Sequence, residues 1–101
     1  MSAASPGPAP DNAARLRRMR ERLTAALAPL ELELVDDSHR HVGHEGARDG
    51  RGHFSVRVVS ASFAGKPPLA RHRLVYDALG DMMQTDIHAL AIRALAPDEA
   101  Q

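Results

Sequence analysis

The sequence predicts an α+β domain in which two helices cover one face of a three-stranded sheet, in the order helix, strand, strand, helix, strand. Three observations carry this. An apolar row recurs at three-to-four spacing over residues 16–27, two stretches alternate strictly from Leu30 and from Phe54, and the doubled proline at Pro67 and Pro68 precedes a second helical row. At 101 residues the chain holds one small core, burying roughly 60–65% of the surface exposed when unfolded.

Taken in order, residues 1–10 combine small residues with three prolines and no apolar anchor, so they are expected to be a disordered extension ahead of a domain over 11–99. Asp11 or Asn12 can cap the first helix, whose apolar positions Leu16, Met19, Leu23, Ala26 and Leu27 end near Pro29. Arg15, Arg18 and Arg22 are expected on its outer face. "LELELVDDS" alternates through Leu30, Leu32 and Leu34, and "HFSVRVVS" through Phe54, Val56 and Val58, as antiparallel strands with one covered face do. Four glycines and no periodicity make the stretch between them a long loop. Pro67 and Pro68 suit a helix's first turn, and Leu69, Tyr76, Leu79 and Met83 mark the stripe expected to face the core. "IHALAIRAL" is short and strand-like, with Pro97 ending it.

Composition narrows the function. Thirteen basic and thirteen acidic residues cancel, so no global charge draws the chain to nucleic acid or an anionic membrane. The absence of cysteine excludes a disulfide framework, a thiol nucleophile and any thiolate metal site built from this chain alone. No apolar run approaches the roughly 20 residues that span a bilayer, and the N-terminus lacks an apolar signal core, so a cytoplasmic protein is expected. The arginine-rich "RLRRMRER" could suit an organellar transit peptide, but it runs directly into a regular helical pattern. No nucleophile elbow or glycine-rich phosphate loop is present, and a non-enzyme is expected.

The histidines are the chemically informative residues. His39, His41 and His44 crowd the loop, where "HxHxxH" fits either a solvated segment or a mononuclear zinc site with an open position. His72 lies three residues after Leu69 and four before Tyr76, and by spacing alone reads as a polar residue at the border of the core. His53 and His88 begin strands and read as structural residues at the sheet's ends. Lys66, Arg71 and Arg73 form a basic cluster at a helix start, where the helix dipole also favours anions such as a phosphate backbone. The ordinary alternative for Arg73 is a solvated pair with Asp77 one turn later.

"FAGKPPLARHRLVY" supplies Phe63, Gly65, Lys66, Leu69, Arg71, His72, Arg73, Val75 and Tyr76 in the pattern Phe-x-Gly-Lys followed by Arg-His-Arg. With "SHRHVGHEG" and "HALAI", it resembles the BolA family across about residues 12–99. The resemblance implies an α-β-β-α-β fold related to K-homology modules, often with an extra helical turn before the long second helix. It also implies a role in iron-sulfur cluster assembly, trafficking or sensing with a monothiol glutaredoxin as heterodimer partner, and, as the alternative, DNA-binding transcriptional regulation. A two-iron, two-sulfur cluster takes four donors. The resemblance implies that the glutaredoxin cysteine and its bound glutathione supply part of the set, His72 one imidazole and the loop another, His41 first and His44 second. No cofactor is expected to bind the isolated chain tightly. Lys66, Arg71 and Arg73 would then contact glutathione or DNA, although the "GxxG" clamp of K-homology domains is absent.

Overall fold

The computed structural model describes residues 11–38 and 50–100, so the expectations for residues 1–10 and for His39, His41 and His44 lie outside the described residues. Helix α1 (Asn12–Leu27) starts where the Asp11 carboxylate accepts the Ala13 N–H at 2.9 Å and stops at Ala28, which adopts a left-handed φ of 44° before Pro29. Strands β1 (Glu31–Asp36) and β2 (Gly52–Val59) pair antiparallel, with Leu34 opposite Val56. A 3₁₀ turn at Ala61–Phe63 precedes α2 (Pro68–Leu79), a short α3 (Met82–Thr85) follows, and β3 (Ile87–Leu95) pairs parallel to β2, giving the order β1-β2-β3.

The core lies between the helices and one sheet face. Met19, Leu23 and Leu27 of α1 meet Phe54, Val56 and Val58 of β2, with Val75 and Leu79 of α2 and Phe63, Met82 and Ile87 completing the cluster. Glu31, Glu33, Val35, Ala89, Ala91 and Arg93 stay exposed on the sheet, as two-residue alternation requires of a sheet covered on one side.

Three local expectations are corrected. Leu69 and Tyr76 are 65% and 41% exposed, so within α2 only Leu79 of the expected stripe is buried, joined by Val75 and flanked by half-buried Leu74 and Ala78. The expected stripe also runs through Gly80, whose φ of 58° ends α2, so Met83 belongs to α3, where it still packs half-buried against the core. Leu30 and Ala26 are exposed, because the strand begins one residue later and Ala26 faces away from the sheet.

Arg15 is the third correction. It shares the every-fourth-residue row of Met19, Leu23 and Leu27, and is buried to the same degree, 4% exposed. Its Nε donates to Asp86 Oδ2 at 3.0 Å, and Arg18 Nη2 reaches the same oxygen at 2.6 Å. Arg22 Nη1 caps the last turn of α2 at Leu79 O, 2.5 Å, and meets Asp81 at 2.9 Å. Arg18 and Arg22 keep the expected outer position while reaching across to the end of α2 and the residues before β3, and only Arg15 is withdrawn from solvent.

Candidate functional site

The histidines of the described residues fall into two places. At one end of the sheet, β2 begins with Gly52 opposite Ile87, then slips so that His53 is opposite Ala89, leaving His88 as the extra residue of a bulge. Such an insertion bends a strand and re-aims a side chain. Here it lets both Ile87 and Leu90 turn inward, the first into the core and the second packed against it, and His88 is left exposed. Its ring stands 5.1 Å from that of buried His53, tilted by 49°. Arg51 Nη2 lies 3.1 Å from His88 Nδ1, while Arg51 Nη1 reaches Gln84 O at 3.4 Å.

Both ends of the segment 39–49 are rooted here. Asp37 N–H donates to His53 O at 2.7 Å, the His53 N–H donates to Ser38 Oγ at 3.0 Å, and Asn12 Nδ2 donates to the same hydroxyl at 3.2 Å. On the other side, Gly52 N–H donates to Asp86 O at 2.9 Å. The segment that carries His39, His41 and His44 thus leaves and returns beside His53 and His88.

His72 occupies the second place. It is half-buried on α2, with no side-chain hydrogen bond or ion pair to any described residue. Its neighbour Arg71 is anchored at the far end of β3: Nη1 donates to Ala94 O at 3.0 Å, and the guanidinium grips Glu99 through Nη1–Oε1 at 2.5 Å and Nη2–Oε2 at 3.0 Å. Ala94 lies six residues beyond His88, about 20 Å along a strand. The folded chain therefore brings His53 and His88, not His72, to the root of the histidine-bearing segment.

The basic cluster divides as well. Arg71 spends its donors on Glu99, Ala94 and Lys66 O, and the guanidinium beside it holds the Glu99 carboxyl down at about 2. Lys66 and Arg73 are exposed and form no ion pair among the described residues, so the Arg73–Asp77 pair is not made. Two cations remain on offer to an anion, on the side of α2 that also exposes Leu69 and Tyr76.

Among the described residues no three histidine, aspartate or glutamate side chains cluster to hold a metal ion. A shallow hollow of about 290 Å³ on the open sheet face, between Glu33, Ser55, Arg57 and Arg93, contains none of the histidines. No helix among the described residues is long and apolar enough to cross a membrane. The sequence places His53 and His88 at strand ends but does not show that their rings pair. The signal for the pairing was a histidine at the head of each of two strands, one of them in "HALAI".

Comparison with known proteins agrees with this architecture. The family model described as BolA-like protein matches residues 23–99. "Protein BOLA1, chloroplastic" of Arabidopsis thaliana is 43% identical over 89 residues, 85% of this chain and 56% of that protein. The E. coli protein named "DNA-binding transcriptional regulator BolA" is 43% identical over 75 residues, 74% of this chain and 69% of that protein. "SufE-like protein 1, chloroplastic/mitochondrial" of Arabidopsis thaliana is 46% identical over 87 residues, 81% of this chain. The chain spans only 24% and 56% of the two Arabidopsis relatives' lengths. The solved BolA domain of SufE1 from Arabidopsis thaliana superimposes with a TM-score of 0.77 at 45% identity, covering 86% of this chain and 96% of that one. BolA1 from the same plant gives 0.73 at 40% identity, with the same coverages.

Proposed function

Because the chain belongs to the family of BolA-like proteins, we propose that it is a cytoplasmic, non-enzymatic adaptor that pairs with a monothiol glutaredoxin and holds or hands on a two-iron, two-sulfur cluster as shared cargo. One observation carries the reading: His53 and His88 stand at the root of a segment that brings three further histidines, in a chain without a thiol. Such a cluster takes four donors, and imidazole in place of thiolate raises its potential. The glutaredoxin cysteine and glutathione would supply two donors, His41 or His44 a third, and one further imidazole the fourth. His72 and His88 compete for that last role. Position supports His88, since a ligand shared with segment 39–49 must lie within that segment's reach.

Mixing the protein with a cluster-loaded glutaredoxin homodimer tests the reading. A mixed complex should change the visible absorption and circular dichroism and co-elute as a heterodimer. Unchanged spectra with separate elution at tens of micromolar would refute it.

The name of the E. coli relative, together with the exposed and unpaired Lys66 and Arg73, supports a second reading as a DNA-binding regulator. Binding of that kind should weaken steeply with salt, and a specific site should outcompete random duplex by roughly a thousandfold. Equal affinity for every sequence would leave only phosphate attraction.

A further inference from the structure

The contact between Arg51 and His88 constrains the chemistry of the imidazole. A guanidinium stays protonated and offers only donors. At 3.1 Å from Arg51 Nη2, His88 Nδ1 must therefore be the acceptor, which places the ring proton of the neutral imidazole on Nε2. In that tautomer the in-plane lone pair is on Nδ1 alone, and it is the atom a metal would need. Arg51 is also held in place from its other terminus, by Gln84 O at 3.4 Å.

We propose that Arg51 guards His88: its guanidinium occupies the donor nitrogen and sets a positive charge in front of it, so that a transition metal or cluster iron binds His88 only by displacing Arg51. The inference takes the metal from the adaptor reading, but the guard itself is a property of this chain. It makes Arg51 a positioning residue that acts through His88. An unloaded chain then keeps its imidazole from stray divalent cations, and a partner that draws Arg51 aside, for instance with a carboxylate, exposes the ligand when the cargo arrives.

Long-range ¹H–¹⁵N spectra of the full chain near neutral pH read the tautomer directly. His88 should carry its proton on Nε2, and Arg51→Ala should shift it toward a mixture of both forms. Titration with Co²⁺ alone, followed by paramagnetic broadening of the His88 signals, should show Arg51→Ala binding about tenfold more tightly than the natural chain, the factor that loss of one competing charged hydrogen bond is worth. His88→Ala should remove the difference between the two backgrounds. A proton on Nδ1 in the natural chain, or Co²⁺ affinity that is equal or weaker in Arg51→Ala, overturns the proposal. Failure to form a mixed cluster with glutaredoxin would overturn the adaptor reading, and the tautomer and Co²⁺ results would still decide the guard.

Discussion

Arg71 grips both carboxylate oxygens of Glu99, fastening the turn after β3 to the first half of α2. Parallel guanidinium–carboxylate bonds of this kind are stronger and more directional than single ones. The residue that opens the Arg-His-Arg motif is therefore a fastening, and its charge is already answered within the chain.

That fastening has a pH signature. The Arg71 guanidinium and the Ala96 N–H lower the Glu99 carboxyl from 4.5 to about 2. A carboxylate whose pKa is depressed by folding adds stability above its unfolded pKa and loses it as pH falls through the folded one. The contribution should thus be complete above about 4.5 and fade toward 2. Glu99→Gln should melt lower than the natural chain at pH 7, and the gap should close over that window. A gap independent of pH would mean that the carboxylate charge plays no part.

Asp86 answers both Arg15 and Arg18. Burial works against its charge, but hydrogen bonds from Thr85 and Arg15 and the charges of Arg18 and Arg15 hold its pKa below the usual carboxylate value. Asp86→Ala would leave the guanidinium of Arg15 buried without its countercharge, and should cost about 3 kcal/mol. Denaturant unfolding measures this. A loss below about 1 kcal/mol would show that water reaches Arg15 in the variant.

Gly52 faces Phe54, and a Cβ there would stand 2.5 Å from two atoms of a ring that is only 2% exposed. Since a buried ring can yield only by repacking its neighbours, Gly52→Ala should destabilise the fold by about 1–3 kcal/mol. Because Gly52 also opens the bulge that aims His88, the variant should perturb the His53 and His88 ring signals more than those of His72. Equal shifts at all three would argue against a local effect.

The rival assignments of the cluster ligand separate by substitution. His88→Ala should abolish the mixed glutaredoxin spectrum with the fold intact, His72→Ala should leave it, and His41→Ala or His44→Ala should weaken it partially, since neighbouring imidazoles of the segment can substitute. Loss of the spectrum in His72→Ala alone, at unchanged melting temperature, would return the role to α2.

Much of the fold was legible because its signals are local. Alternation located β1 and β2 through Leu32, Leu34, Phe54, Val56 and Val58, and the proline pair marked the start of α2. The buried face of α2 was legible only at Leu79, since Leu69 and Tyr76 fit helical spacing as well as Val75 does, and only packing against α1 and β3 chooses between them. Arg15 misled for a similar reason: its countercharge lies 71 residues away, beyond any periodic signal. At the candidate site, the histidines were visible but their grouping was not. A bulge is a property of two paired strands, and neither strand's sequence declares it.

The parallel seating of β3 beside β2 also sets when the protein can fold during its synthesis. β3 supplies Ile87 to the core, and the segment before it supplies Asp86 to Arg15, so α1 cannot reach its final environment until the last strand has been made. At about 5–20 residues per second, the 68 residues from Leu27 to Leu95 take roughly 3–14 s to translate. Through that interval the apolar row of α1 and the unpaired edge of β2 are open to the nascent chain's neighbours, and they close only when the C-terminal strand is released.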